Sequence, residues 1–390
     1  MNQRRYRILS AVGARPNLMK IAPLITEMRR FDDLCPMLVH TGQHYDYAMS
    51  GVFFDQLRLP EPDYTLGIGS GTHHYQTAEV LRRLGELVPQ VEPDLMLVVG
   101  DVNSTMGAAL VAAKERIPLA HVEAGLRSSD RSMPEEINRV VTDAVSDLLF
   151  TTEEAASANL LREGVAAEKI SFVGNVMIDS LVEALRVVRS SDAVTQTGPP
   201  PGGYVVLTLH RPSNVDSPER LRATLDAIAE IARDVPVIFP VHPRTEAKIA
   251  EVGSIPLKSW DGCSAISQSG IWKLPPASYL DFVSWMDRAA LVITDSGGIQ
   301  EETTYLGVPC LTFRDSTERP VTVTHGTNRV VGTDPVRLIQ EAKAVLRRGT
   351  DLSRRVREHQ PPPLWDGHAS RRIVDILRSF LNERGSARPT

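Results

Sequence analysis

Three carboxylates and one histidine stand where acid–base chemistry would need them: Asp101, Glu123, Glu135 and His210. Gly100-Asp101 closes the apolar run Leu95 to Val99, and His121-Val122-Glu123-Ala124-Gly125 closes the run that starts at Leu119. If both runs are parallel strands, both acids are aimed from the same end of one sheet, and converging acids invite proton transfer. Glu135 and Glu136 are adjacent and diverge by about 100° on a helix, so both cannot face one site. Glu135 is the choice, with Glu136 left to a helix-surface pair. Any one of these acids alone reads as an N-cap or an ion-pair partner; it is their convergence that favours a site. His210 and His242 each follow a strand of the second half, and imidazole titrates near neutral pH, so either can move a proton or donate to a phosphate.

Two further segments suit an anionic ligand. Asp295-Ser296-Gly297-Gly298-Ile299-Gln300-Glu301-Glu302 follows a strand and opens a helix; paired glycines let backbone N–H groups approach an oxyanion, and the helix N-terminus adds partial positive charge. A diphosphate fits such a turn, and Glu302, one turn on, can accept from ribose hydroxyls. An ordinary Ser-Gly-Gly turn with a capped helix is the alternative. Gly13-Ala14-Arg15-Pro16 lacks the second and third glycines of the dinucleotide fingerprint, which disfavours NAD. Arg15, with Lys20 nearby, offers phosphate or carboxylate a charge-assisted contact, or else forms a surface ion pair. His73-His74 and His121 have neither the helical i, i+4 spacing nor the cysteines of a zinc site, so satisfied polar histidines and no metal are expected.

The elements that must hold these residues alternate. Tyr6 to Val12, Leu34 to Val39, Leu95 to Val99 and Leu119 to Val122 are short apolar runs; helical patterns lie between or after them at Asn17 to Arg30, from Thr105, at Glu153 to Arg162 and at Val176 to Arg189. A second series starts at Tyr204 to Leu209 and continues through Val235 to Val241, Leu291 to Thr294 and Pro309 to Phe313. The expectation is an α/β protein of two doubly wound Rossmann-like domains with parallel sheets, its ligand site beyond the carboxyl ends of the strands in the cleft between them. The domains are expected at 1–189 and 204–370, with an aperiodic, Pro- and Gly-rich linker at 190–203 and a C-terminal helix and tail at 371–390.

Length and composition agree with this division. At 390 residues the chain is too long for one ordinary core, and 42% hydrophobic with 23% charged residues is a globular composition. A net charge of -5 argues against a general nucleic-acid or anionic-membrane surface. Cys35, Cys263 and Cys310 are too few and too scattered for a disulfide framework, so reduced thiols and a cytoplasmic location are expected. Basic residues before Ile8 to Ala14 imitate a signal peptide faintly, but Arg15-Pro16 breaks the run early and a buried strand is the better reading. No apolar stretch approaches the ~20 residues of a membrane span.

Taken in order, Gly13 to Lys20, Thr41-Gly42-Gln43-His44, Gly100 to Thr105, His121 to Arg127, Pro134 to Arg139, His210 to Asp216, Asp295 to Glu302 and Arg314 to Pro320 resemble the non-hydrolysing UDP-N-acetylglucosamine 2-epimerase family, relatives of the GT-B glycosyltransferases, over nearly the whole chain. The resemblance implies catalytic roles for Asp101, Glu123, Glu135 and His210. It implies that Arg15, Lys20, Phe282, Ser296, Gly297, Gly298 and Glu302 hold UDP, with no cofactor, and that the chain forms a homodimer. Through Gln43, His44 and His242 it also implies a second UDP-N-acetylglucosamine bound as an activator, although Tyr45-Asp46 departs from the bacterial pattern there. The expected reaction interconverts UDP-N-acetylglucosamine and UDP-N-acetylmannosamine by anti elimination of UDP through 2-acetamidoglucal, followed by re-addition. Rival readings are the same inversion on a modified sugar such as UDP-2,3-diacetamido-glucuronic acid, a GT-B glycosyltransferase, and a UDP-sugar sensor that would have no use for the three acids.

Overall fold

The computed structural model describes residues 5–42, 59–190, 203–241, 243–253, 255–260, 266, 268–348 and 359–386, apart from the side chains of Arg15, Pro243, Arg244 and Ser386. Contacts divide the chain into two compact units, Met1–Ser180 with Pro363–Thr390, and Leu181–Pro362.

In the first unit β1 (Tyr6–Val12), β2 (Leu34–His40), β3 (Tyr64–Thr65), β4 (Leu95–Val99), β5 (Leu119–Ala124), β6 (Leu148–Thr151) and β7 (Ile170–Phe172) form a parallel sheet of seven described strands, in the order β3-β2-β1-β4-β5-β6-β7. Helices α1 (Arg15–Met28), α2 (His73–Val91), α3 (Asn103–Glu115), α4 (Pro134–Val145) and α5 (Glu154–Arg162) connect and follow them. Helix α6 (Val176–Ser190) begins in this unit but from Leu181 onward belongs to the second, so the first unit ends before the boundary at 189 that the sequence pattern suggests. Strand β4 shows why these runs are apolar throughout. Leu95, Leu97 and Val99 pack with Leu18, Ile21 and Ile25 of α1 on one face, while Met96 and Val98 pack with Val80 and Leu84 of α2 and Ala108 and Ala112 of α3 on the other. A strand covered on both faces has no side to leave polar. The strand order reverses between β1 and β4, and that crevice is where an open parallel sheet binds its ligand.

The second unit repeats the plan. Strands β8 (Val205–Thr208), β9 (Pro236–Pro240), β10 (Leu257–Ser259), β11 (Gly270–Leu274), β12 (Leu291–Thr294), β13 (Cys310–Thr312) and β14 (Asn328–Val330) lie parallel in the order β10-β11-β9-β8-β12-β13-β14. Helices α7 (Pro212–Val215), α8 (Pro218–Ile231), α9 (Pro243–Val252), α10 (Tyr279–Arg288), α11 (Gly297–Leu306), α12 (Val321–Thr324) and α13 (Pro335–Arg347) accompany them. Here the order reverses between β8 and β12.

The C-terminal helix, Ala369–Ser386, belongs to the first unit. Ile373, Val374 and Leu377 are fully buried in the cluster that contains α1, each contributing roughly 1.5–3 kcal/mol. Its first backbone N–H groups find an acceptor far away in sequence: Ala369 N and Ser370 N donate to the two carboxylate oxygens of Asp179, at 3.1 and 2.7 Å. Trp365, 1% exposed, donates its indole N–H to the Thr152 carbonyl at 2.9 Å. The sequence pattern puts the end of the second domain at 370; these contacts return residues from Pro363 onward to the first unit. Of the expected linker, 191–202 lie outside the described residues. No described helix is long and apolar enough to cross a membrane.

Candidate active site

Asp101 and Glu123 lie at the carboxyl ends of β4 and β5, beside the strand-order reversal of the first unit. In the β4–β5 pairing Val99 faces Val122, and Gly100 N donates to the Val122 carbonyl at 3.0 Å, so Asp101 and Glu123 leave neighbouring strand ends together. Glu123 is held in an unusual way. Its φ is +73°, and the β5–β6 register shifts between Val122 and Ala124. A bulge of this kind re-aims one side chain, and a left-handed non-glycine residue carries about 1–3 kcal/mol of strain. The re-aimed carboxylate is 2% exposed and lies 2.5 Å from Lys20 Nζ, itself 7% exposed on α1. Gly100 makes room for that lysine: its φ is +68°, and a Cβ there would sit 2.8 Å from Lys20 Nζ.

Asp101, one-fifth exposed, is gripped from α4: Arg139 donates to Oδ2 from Nε at 3.1 Å and Nη2 at 2.7 Å, and Asn138 Nδ2 donates to the Asp101 carbonyl at 2.8 Å. Arg139 also reaches Glu136 Oε2 at 2.7 Å. Glu136 is therefore buried rather than paired on the helix surface as its sequence position suggests. It accepts from Ser128 N, Ser128 Oγ and Ser129 N at 2.9, 3.0 and 2.9 Å, because the loop before α4 folds back over it. Burial works to raise its pKa, but these donors and Arg139 outweigh burial and hold it below the ordinary value. Glu135, in the first turn of α4, is partly exposed and has no hydrogen-bond or ion-pair partner among the described residues.

His121 is the satisfied core histidine expected of it. Fully buried, it has Nδ1 2.6 Å from Asp143 Oδ1 and Nε2 2.9 Å from the Gly100 carbonyl. Asp143 also accepts from Gly125 N at 3.0 Å and from Arg127 at 2.7 Å. The pair thus ties the turn after β4 to the turn after β5.

In the second unit His210 follows β8 and the Ser296–Gly298 turn follows β12, on either side of the reversal. Thr208 and Thr294 are register partners, and their hydroxyls lie 2.6 Å apart. Ser296, Gly297 and Gly298 are partly exposed at the N-terminus of α11, which leaves N–H donors for an anion. Gly297 has a local reason: a Cβ would meet Arg319 Nη1 at 2.6 Å and Glu318 Oε1 at 2.8 Å. Beneath the turn, Glu318 binds Arg314 Nη2 at 2.8 Å and Arg319 Nη1 at 2.6 Å, and Arg319 Nε binds Glu301 at 2.8 Å. Burial opposes the charge on Glu318, but Arg319 and Arg314 hold its carboxyl far below the usual range.

Glu302 is 4% exposed and accepts from the Tyr279 hydroxyl at 2.9 Å. Burial and this carboxylate push the Tyr279 phenol well above its ordinary pKa, so it remains a donor. Phe282 is partly buried on α10, in the turn after Tyr279. Gln43, His44 and His242 lie outside the described residues, as does the side chain of Arg15, whose backbone opens α1.

The structure therefore brings Asp101 and Glu123 to neighbouring strand ends with Lys20 on Glu123, and sets His210 and the Ser296–Gly298 turn past the strands on either side of the second reversal; among the described residues no contact joins Glu135 to the other acids. Lys20, grouped with the nucleotide contacts by resemblance, is found on Glu123. Arg139, Asp295 and Tyr279 do not stand out in the sequence. Only Arg139 leaves a signal there, being three residues after Glu136 and four after Glu135 on one helix.

Two doubly wound parallel sheets, with Asp101 and Glu123 past the strands of one and the Ser296–Gly298 turn past a strand of the other, give a GT-B-like architecture. A model of the family described as UDP-N-acetylglucosamine 2-epimerase matches residues 26–378. The UDP-N-acetylglucosamine 2-epimerase of Methanocaldococcus jannaschii is 40% identical over 372 residues, 94% of this chain and 97% of that protein. A crystal structure of the Methanocaldococcus jannaschii enzyme in complex with UDP-GlcNAc and UDP superposes with a TM-score of 0.83 at 38% identity, covering 96% of this chain and 99% of that one. The UDP-2,3-diacetamido-2,3-dideoxy-D-glucuronate 2-epimerase of Pseudomonas aeruginosa is 39% identical, covering 95% of this chain and 99% of that protein. The chain belongs to the UDP-N-acetylglucosamine 2-epimerase family, which is a family of isomerases.

Proposed function

We propose that this chain interconverts UDP-N-acetylglucosamine and UDP-N-acetylmannosamine. The C2 proton of this sugar is not α to a carbonyl, so removing it directly leaves charge with nowhere to go. Breaking the C1–O bond first gives C1 positive character and acidifies C2–H. Anti elimination then gives 2-acetamidoglucal and UDP; re-addition of UDP at C1, with a proton delivered to the opposite face of C2, inverts the centre. The leaving diphosphate gains negative charge, so cations and aligned N–H groups stabilise the transition state more than the ground state. Arg15, His210 and the Ser296–Gly298 turn take that role. Asp101 and Glu135 divide the C2 proton transfers, and Glu123, already paired to Lys20, remains a fixed anion beside the developing positive charge. The reaction requires one substrate molecule to engage both sets of residues and to be kept from water, since water at the intermediate would make the enzyme a hydrolase.

The observation that carries this reading is the pair of acids Asp101 and Glu123 leaving neighbouring strand ends, in a chain that also presents the partly exposed Ser296–Gly298 turn at a helix N-terminus. The test is incubation with UDP-N-acetylglucosamine in deuterated water, followed by proton NMR. UDP-N-acetylmannosamine deuterated at C2 is the expected product. An unchanged substrate, with turnover of UDP-2,3-diacetamido-glucuronic acid, would transfer the same chemistry to the modified sugar, a reading favoured by the nearly equal identity to the Pseudomonas aeruginosa relative. Sugar transfer to an acceptor, or binding without turnover of either sugar, would remove the epimerase reading. Asp101→Asn should abolish C2 exchange while leaving UDP affinity within about threefold. The proposal includes a cytoplasmic homodimer: the free thiols Cys35 and Cys310 suit a reducing compartment, and light scattering of the purified chain tests the dimer.

A further inference from the structure

We propose that Asp295 and His210 act as one unit, a carboxylate–imidazole dyad that fixes the ring so that Nε2 alone faces the diphosphate. The inference deepens the reading above and rests on it for the identity of the ligand.

Asp295 ends β12 and His210 stands just beyond β8, on strands already in register through Thr208 and Thr294. The Asp295 side chain is fully buried, and its Oδ1 lies 2.9 Å from His210 Nδ1. The same carboxylate accepts from His210 N at 3.1 Å, from Arg211 N at 3.0 Å and from Asn214 Nδ2 at 3.0 Å. Burial works against ionising Asp295, but His210, the Arg211 N–H and Asn214 outweigh it and hold the carboxyl below its ordinary pKa. An ionised carboxylate accepts and cannot donate, so His210 Nδ1 carries hydrogen. The charged groups around the pair are Arg211, whose Nε is 3.0 Å from the Asp295 carbonyl, and beyond it Glu318, 3.9 Å from Arg211 Nη2 and paired to Arg314 and Arg319.

His121 supplies a contrast within the same chain. It too has Nδ1 on a buried aspartate, but its Nε2 is taken by the Gly100 carbonyl and its ring is fully buried. The His210 ring is 51% exposed, and no described residue takes its Nε2. Asp295 immediately precedes Ser296, and its backbone and side chain brace both the turn and the ring. The Nε2 edge of the ring is thereby presented from the neighbouring strand end alongside the N–H groups of α11. In the elimination the ring acts as an imidazolium, protonated at both nitrogens, and its Nε2–H donates a hydrogen bond to the diphosphate oxygen as the C1–O bond breaks; no bond to the protein forms or breaks. Asp295 is a positioning residue, acting through His210 without touching substrate.

The test has two arms. In the wild-type chain with ring-15N histidine and UDP bound, long-range 1H–15N spectra should show His210 protonated at both Nδ1 and Nε2; a ring protonated at Nε2 alone overturns the dyad, whatever the enzyme's substrate proves to be, and one with Nε2 bare overturns the donation. In kinetics on the epimerised sugar, Asp295→Asn should lower kcat by about 10²-fold or more with KM within about threefold. Added to His210→Asn, the same change should lower kcat less than threefold, because a unit already broken cannot be broken twice. A merely structural aspartate would lower kcat by the same factor in both backgrounds, which would overturn the proposal. Should Asp295→Asn fail to fold, the spectrum of the wild-type ring decides alone. If the wild-type chain turns over no UDP-sugar, the functional reading fails and the spectrum still judges the dyad.

Discussion

Replacing Lys20 with methionine separates two accounts of that residue. Lys20 and Glu123 are 7% and 2% exposed and 2.5 Å apart, so neither charge is screened by solvent. Removing one partner of a buried pair strands the other charge, which typically destabilises by about 3–5 kcal/mol. Methionine keeps the length and apolar volume of the stem, so cavity formation adds little. The stability of the first unit, read by urea unfolding, should fall by that amount, and Lys20→Met/Glu123→Gln should recover most of it by leaving no charge unpaired. For catalysis, a lysine that acts through Glu123 predicts a fall in kcat with UDP affinity within about threefold. A lysine that grips the nucleotide would instead weaken UDP by ten- to a hundredfold, since a charge-assisted contact is worth about 1.5–3 kcal/mol. Calorimetric titration with UDP distinguishes the two. A stability loss under about 1 kcal/mol would refute the buried pair, and an unrestored double variant would refute the stranded charge as its cause.

Glu135→Gln removes a carboxylate with no described partner, so urea stability should stay within about 0.5 kcal/mol while kcat falls roughly 10²- to 10⁴-fold; a large stability change would mean the residue is structural. Gly297→Ala drives a methyl to within 2.6 Å of Arg319 Nη1, and overpacking of about 1–3 kcal/mol together with weaker UDP binding is expected by calorimetry; unchanged affinity would detach the turn from the nucleotide. Glu318 and Asp295 in the second unit and Asp143 in the first all have folded pKa values below their unfolded ones. The stability they contribute is present above about pH 4 and lost as pH falls through their folded values, at about 1.4 kcal/mol per pH unit for each group. Urea midpoints measured from pH 6 down to 3 should therefore fall below pH 4, and a flat profile would contradict those shifts.

The strands are legible in the sequence because two-sided burial leaves them almost no polar positions: Leu95 to Val99 is apolar at every residue, and each one is fully buried. The acids are legible because a parallel sheet delivers the residues just past its strands to one edge, which makes Asp101 and Glu123 neighbours once β4 and β5 pair. The hidden features depend on register and loop path. Nothing local says that Glu123 adopts a left-handed backbone, since the bulge exists only against β6. Glu136 looks like a surface residue until the loop carrying Ser129, at φ +60°, turns its N–H groups onto the carboxylate. Asp179 and the C-terminal helix are joined by a cap spanning nearly half the chain, so the boundary near 363 cannot be read from periodicity.

The partners of the three acids also bear on how the proposed mechanism divides work among them. A group that cycles between charged and neutral must do so without leaving a buried opposite charge alone. Protonating Glu123 would strand Lys20, which sits in the same buried pocket, so Glu123 suits a constant anion. Glu135 strands nothing. Asp101 first looks like Glu123, bound as it is by Arg139, but that arginine also holds Glu136 at 2.7 Å, and Glu136 is kept ionised by the Ser128 and Ser129 donors. When Asp101 takes a proton, Arg139 retains a counter-ion; when it gives the proton up, the guanidinium receives the carboxylate again. Glu136, itself no proton carrier, is then the group that allows Asp101 to be one, and Glu136→Gln should impair C2 exchange while Glu135 remains in place.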